Sequence, residues 1–481
     1  MRPARIAATL AAAPAILLAA WAAVSDPMSF RVRTIADEAL KVPTAYARLQ
    51  VLTDTIGARL AGSEAEARAV AWARAEFERD GVPARLEQVM VPVWVRGEES
   101  AVLESPSRQP LVILGLGGTV GTPPDGVAGE VVVVSSFEEL AAMGRAKVEG
   151  RIVLYDAPFT RTGDEMRDYG IAVRFRGRGA SEAAKLGAAA ALVRSVATSS
   201  LRSPHTGALG YAADAPKIPA AAVSVEDAML LRRLAEAGHA VRVRLRLGAR
   251  TEPDRPGANV VAELAGRERP EEIVLIGAHL DSWDVGTGAI DDGAGCAMVL
   301  ETMRLLASGP RPRRTVRAVL YANEENGLRG GRGYREAHEA EMERHVAAVE
   351  SDSGAGRALG FTLKAGDGGL DLLRDMLAPA LAPLGAARVR AGQGGADIGP
   401  LRRHGVPLLG LDLDTTRYFD WHHSMADTLD KVDPAELQQA TAVLAAATWV
   451  LADAPRTLPR YPSEPDDQRR RSADPPGPRR R

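Results

Sequence analysis

One cysteine, Cys296, serves the whole 481-residue chain. A single thiol forms no intrachain disulfide, so a cross-linked scaffold is excluded. No histidine or other base is placed to activate it, and Cys296 reads as a small core residue in a helix. Excess charge is also missing. Against 60 Lys and Arg stand 62 Asp and Glu, a formal net charge of −2. No bulk attraction to nucleic acid follows from that balance. Long apolar runs are absent as well, with one exception. Ile6 to Val24 is rich in Ala and Leu, follows the basic MRPAR, and offers Ala20-Trp21-Ala22 as a small-x-small cleavage site. It predicts a signal peptide over residues 1–25 and an exported protein, secreted or periplasmic. The run also approaches the roughly 20 residues that span a bilayer. An uncleaved N-terminal anchor is therefore the alternative, and no other membrane contact is expected. No cysteine lies nearby to carry a lipid.

What is present is chain enough for two or three domains and a large core. Residues 29–60 pattern as amphipathic helix. Ser63 and Glu66 form a capping box that opens the next helix. ARLEQVMVPVWV, residues 84–95, alternates as a strand. These predict residues 29–100 as the N-terminal part of one domain. From 101 to 250 the texture changes to short strands with helices between them, ending in the alternating VRVRLRL. Few titratable groups pair there, which predicts an inserted β-rich domain. ARTEPDRPGA, residues 249–258, reads as the linker back. Strands and helices then alternate over 256–453, as in a doubly wound α/β layer with a mixed sheet. Residues 454–481, rich in Pro, Arg and Asp, lack apolar periodicity and are predicted disordered.

The chemistry concentrates after residue 276. An apolar run, Ile273 to Ile276, reads as a buried parallel strand, and it ends at His279 and Asp281. A Gly-rich loop leads to Asp291 and Asp292, where a helix opens. Strand 316–321 runs into Asn323-Glu324-Glu325, and strand 346–350 into Glu350-Ser351-Asp352. Trp421-His422-His423-Ser424 follows, with Asp427 four residues beyond His423. Open α/β sheets build their sites at such strand ends. So many carboxylates converging with imidazoles repel one another unless cations are present. Carboxylate and imidazole without thiolate suit zinc, or a similar ion such as manganese or cobalt.

The motifs HLDS, GAIDDGAG, NEENGLRGG, ESDSG and HHSMADT resemble the M28 family of di-zinc exopeptidases, as does LTDTIGARLAGS at residues 52–63. LGAAAALVRS, SPHTGAL and KIPAAAVSVEDA resemble a protease-associated domain. The combination is most similar to the plasma glutamate carboxypeptidase branch, over roughly residues 45–455. The resemblance implies two zinc ions. His279 and Asp352 would hold one and Glu325 and His423 the other, with Asp291 bridging. Asp281 would accept the second ring N–H of His279, Asp427 would support the ligand set, and Glu324 would be the general base. A cis peptide is implied between Asp291 and Asp292. Relatives often stabilise the oxyanion with a Tyr just before the last His ligand. Here that position is His422, leaving His422 and Tyr418 as candidates. Asp397, in GQGGADIGP, is expected as a pocket wall or a group behind it. His205, in the exposed-looking SPHTGALGY, is expected near a cleft mouth, in a homodimer.

The implied activity is an exopeptidase for dipeptides or short peptides with a free amino end. A carboxypeptidase on the same scaffold is the alternative, with Arg329 and Arg417 as cations near the motifs. A glutaminyl cyclase-like acyltransferase and a catalytically dead binding protein are further rivals.

Overall fold

The computed structural model describes residues 27–198 and 201–463. The expected signal peptide and the end of the Arg-rich tail lie outside these residues. Among the described residues, no helix is long and apolar enough to cross a membrane.

Two eight-stranded sheets organise the chain. The first follows the spatial order Ala84–Val95, Arg250–Leu264, Arg314–Tyr321, Arg269–His279, His345–Glu350, Leu408–Leu413, Ala358–Lys364 and Arg388–Ala391. Its four middle strands, Arg314–Tyr321 through Leu408–Leu413, run parallel. The flanking pairs on both sides include antiparallel partners, so the sheet is mixed. Helices cover both faces, so the middle strands are buried; Arg314 and Arg317 of Arg314–Tyr321 are enclosed with Glu272 and Glu263 as partners. Val274 and Ile276 pack into the core shared with helices Pro27–Lys41, Ala294–Ala307 and Pro434–Asp453. Leu275, between them, packs on the opposite face with Tyr334 and Leu401. Successive strand residues alternate faces, and both faces here are dry. The predicted capping box is present. Ser63 Oγ accepts from the Glu66 amide at 3.1 Å, and the Glu66 carboxylate reaches back to the Gly62 amide at 2.7 Å.

The second sheet takes strands between Glu99 and Leu247. It carries more helix than a β-rich reading allows, including Arg174–Lys185 and Val225–Glu236. It is a mixed α/β unit. Its Ala-rich strands, such as Ala220–Val223, are buried against those helices. The strong alternation of VRVRLRL belongs to one strand and is not typical of the others.

Three expectations are corrected. The supposed linker is strand: Arg250–Leu264 pairs along most of its length with Ala84–Val95. Its pairing with Arg314–Tyr321 starts only at Val260, so Pro253 and Pro256 lie where one side is unpaired. Proline is tolerated there because no ladder bond is lost. The single helix that alternation predicts between strands 316–321 and 346–350 is two pieces, Arg329–Ala337 and the 3₁₀ turn Glu339–Arg344. The tail does not become irregular and free at Ala454. Ala454, Leu458 and Tyr461 are buried, and Arg460 donates to the carbonyls of Met342, His345 and His404. Three apolar anchors and one cation are too few to give a periodic signal. Leu458→Ala should therefore cost about 2–5 kcal/mol, as for a buried leucine, read by denaturant unfolding. A loss below about 0.5 kcal/mol, the scale of a surface change, would mean the segment holds nothing.

Candidate metal centre

Parallel register lines up the strand ends. His279 lies opposite Tyr321, and Gly277 opposite Glu350. The chain leaves the strands within one layer, and Glu325 and Asp352 emerge beside His279. Asp291 arrives on the loop that opens helix Ala294–Ala307, through a cis Asp291–Asp292 peptide. The last two ligand candidates come from the turn after Tyr418–Trp421.

Asp291 stands in the middle. Its carboxylate is 3.3 Å from His279 Nε2 and 3.1 Å from His423 Nε2. His279 Nε2 also faces Asp352 at 3.5 Å, and His423 Nε2 faces Glu325 at 3.0 Å. His422 Nε2 reaches Asp291 at 3.3 Å, with its ring stacked on His423 at 3.5 Å between centroids. Three sets each bring one ligand atom per residue within 4.8 Å: His279, Asp291 and Glu325; Asp291, His422 and His423; His279, Asp292 and Asp352. Asp291 Oδ2 and Glu325 Oε1 are buried and find no well-aligned donor. The donor set fits cations of the zinc class, with imidazole and carboxylate only.

The protein without metal compensates by protonation. Burial alone would push His279 down, but Asp291 and Asp352 hold it well above the usual imidazole range. Burial is likewise outweighed at His423, which Glu325 and Asp291 raise to about 9. Burial and the His423 charge keep His422 well below its ordinary value. Burial raises Glu324, Glu325 and Asp352, and neighbouring carboxylates add to it while the histidines oppose it.

The supports are mostly backbone bonds. Asp427 accepts from the amides of Ala289 and Ile290, each at 2.8 Å, and so fixes the loop before Asp291. Asp292 accepts from the amides of His279 and Gly295. A Cβ at Gly295 would sit 2.3 Å from Asp292 Oδ1, which explains a glycine there. Arg59, fully buried, donates to the carbonyls of Leu280, Thr287 and Gly288. That is what the ARLAGS segment does for the site.

Several expectations change. The Asp281 carboxylate does not hold the His279 ring: it is 3.8 Å from Nδ1, and the Asp281 carbonyl accepts instead at 3.0 Å. The carboxylate takes the Glu324 and Glu325 amides at 2.9 and 3.4 Å. A side chain two residues on cannot turn back onto the ring as readily as its own carbonyl. His205 is not exposed: it is 2% accessible, neither ring nitrogen has a partner, and burial pushes it down to about 3. Its loop does meet the site, through the Thr206 amide on the His423 carbonyl at 2.9 Å. Asp397 is no pocket wall. It is fully buried behind Glu350, whose carboxylate accepts three amides of its loop. Tyr418 is buried beneath His422. Arg329 is exposed, and Arg417 is exposed and turned to Glu436. Sequence reading missed Trp283, edge-on to His423, and Tyr169 and Arg176 of the second unit. No motif marks them, because their partners are far away in the chain. Tyr169 is raised to about 12 by burial; Arg176 opposes this, and Asp291 and Glu325 add to it.

Imidazoles and carboxylates at the ends of parallel strands define a metallopeptidase centre. The model of peptidase family M28 matches residues 259–448, and the chain belongs to that family. It is a hydrolase. Among individual proteins it is similar to carboxypeptidase Q of Bos taurus, at 42% identity over 417 residues and 86% of each chain. Carboxypeptidase Q of Homo sapiens is 40% identical over the same length, again 86% of each. The crystal structure of a peptidase M28 precursor from Shewanella amazonensis is 39% identical, with a TM-score of 0.87. It covers 91% of this chain and 99% of its own. A zinc aminopeptidase of Bacillus subtilis shares the fold at 20% identity and TM-score 0.64, over 86% of this chain and 96% of its own.

Removing metal should expose the electrostatic cost. Burial also raises Glu350 and Asp427 to about 7. Raised carboxylates keep protons when folded that the unfolded chain releases, so their contribution falls as pH rises above about 4. His423, raised to about 9, gives stability below its unfolded value that is lost as pH climbs toward 9. Glu350, Asp427 and His423 act in one direction, while His422 and His205, held below their unfolded values, act in the other below about pH 6.5. The melting temperature of chelated protein should therefore fall from about pH 6.5 to 8, while zinc-loaded protein should fall less. A parallel course for the two forms would refute this electrostatic account.

Proposed function

We propose that the chain is an exported two-zinc exopeptidase that hydrolyses dipeptides and short peptides and reads their free carboxyl end. The observation that carries the carboxyl-end reading is a cleft of about 700 Å³ between the second unit and the edge of the first sheet. Residues 163–166 line one wall, and Ser353, next to Asp352, lies on the other. Arg388 and Arg390 line it too, both held on the Asp412 carboxylate at 2.6 and 2.9 Å. Part of each guanidinium remains for a substrate carboxylate, which such a fork suits. The name of the carboxypeptidase Q relatives favours the same end. A cleft of this volume suits a short peptide.

His279 and Asp352 would hold one zinc, Glu325 and His423 the other, and Asp291 would bridge. His423 suits this better than His422 because it faces both Asp291 and Glu325. Bound there, the ions would polarise the scissile carbonyl and ease deprotonation of the attacking water. Glu324 takes that proton and returns it to the leaving amine. It is half-buried, whereas Glu325 is enclosed. Asp281 holds both backbone amides, and the Glu325 carboxylate faces His423. Glu324→Gln should lower kcat by about 10²–10⁴, the worth of general acid–base catalysis, with metal content unchanged. Loss of metal would mean Glu324 and Glu325 have exchanged roles.

The amino-end reading has one observation in its favour, the exposed Asp414 in the same cleft. On a dipeptide both readings cleave one bond and differ only in the terminus required. Amidating the carboxyl end should lower kcat/KM at least tenfold, about 1.4 kcal/mol of transition-state binding. Acetylating the amine should matter less, and Arg390→Met should raise KM for the free acid only. The reverse ranking of the blocked peptides would establish amino-end recognition instead.

A further inference from the structure

We propose that Tyr169, carried by the second unit, donates a hydrogen bond to the scissile carbonyl oxygen as it becomes an oxyanion, and that Arg176 positions it. The inference rests on the peptidase reading but not on which terminus is recognised.

Helix Glu165–Ala172 brings the second unit to the site. Its Glu165 and Met166 line the cleft, and Tyr169 follows one turn later. The Tyr169 ring stacks on Phe419 at 4.7 Å and meets His422 edge-on at 5.2 Å. The side chain is half-buried, and the charges of Asp291 and Glu325 act on its phenol. Its hydroxyl accepts from Arg176 Nη2 at 2.7 Å. Among the described residues its own proton has no acceptor. An acceptor lone pair is used by a cation, and the donor is unspent. That is the arrangement an oxyanion requires: a fixed dipole that needs no reorganisation when charge develops.

Arg176 is itself fixed. It is 8% accessible, and Nη1 donates to the Thr206 carbonyl at 3.1 Å. Gly207, at φ 137°, makes the room: a Cβ there would lie 2.3 Å from the Arg176 Cζ. The Thr206 carbonyl also accepts from His423 Nδ1 at 3.3 Å. Arg176 Nη1 itself also lies 3.3 Å from His423 Nδ1. Arg176 and His423 thus share one acceptor. One peptide group sets the place of a ligand ring and of the arginine that orients the phenol. Tyr418 is the other phenol nearby, but it is more buried, and the wall at Gly354 closes on its ring.

The test uses zinc-loaded full-length protein and a dipeptide that the parent enzyme cleaves. If the parent cleaves none, the peptidase reading fails before any variant is made. Tyr169→Phe keeps the ring and its stacking and removes only the hydroxyl. The expected result is a fall in kcat of about 10²–10³, the effect of losing one oxyanion donor. KM should stay within about threefold, with zinc content and melting temperature unchanged. Arg176→Lys should retain more kcat than Arg176→Met. In the Tyr169→Phe background, Arg176→Met should add little further loss, because it acts through the phenol. A Tyr169→Phe enzyme within threefold of the parent kcat overturns the proposal. So does loss of zinc from that variant, or a large kcat loss in Tyr418→Phe with none in Tyr169→Phe.

Discussion

Carboxylates packed side by side in a buried site repel, and at this centre the repulsion is built in. Asp291, Asp292, Glu324, Glu325 and Asp352 all leave the same sheet edge. Low dielectric makes each like-charge pair costlier than it would be in water. The metal-free molecule offsets this by protonating His279 and His423 and by raising several carboxyls. Divalent cations would do the same with less disorder in the proton positions. The cluster is therefore an anion set that bound cations would stabilise.

Such a set has to be held open by something other than its own attractions. Nearly every buried charge around it is spent on backbone. Asp427, Asp281, Asp292 and Glu350 accept amides, and Arg59 donates to three carbonyls. Loops without regular ladders leave such groups unpaired, and charged side chains satisfy them strongly. The Gly-rich stretch 285–295 is kept in one shape by residues from distant parts of the chain. The left-handed backbone at Asn323 and His423 belongs to the same economy of tight turns.

How legible this was depends on how local each signal is. Strand ends and their ligand candidates were visible because ligand and strand are neighbours in sequence, and burial on both faces makes the strands continuous apolar runs. His279, Asp291, Glu325, Asp352 and His423 meet as their motifs imply. The support by Asp281 was misread because a carboxylate two residues away looks like the ring's partner, while the backbone carbonyl was already closer. The strand at 250–264 was masked by Pro253 and Pro256, which punctuate turns in most contexts. His205 reads as exposed because Pro and Gly flank it, yet it is buried, with its amide donating to the Ser195 hydroxyl.

Tyr169 and Arg176 show the limit most sharply. Nothing in RDYGIAVRFRG distinguishes a tyrosine packed on Phe419 and His422 from one on a solvated helix. Their meaning is created by contacts with Thr206 and Phe419, and through Thr206 with His423. The contacts with Phe419 and His423 exist only when the second unit is seated on the first sheet. The seating is specific: Arg96, held on Asp284, donates to the Gly115 carbonyl, and Trp283 occupies the space that a side chain at Gly117 would need. Trp283 then stands against the His423 ring. A shift of the second unit would move the cleft wall, the Arg176 anchor and the packing of a ligand histidine together. Inter-unit contacts of this kind couple the cleft wall to the packing of the candidate ligands.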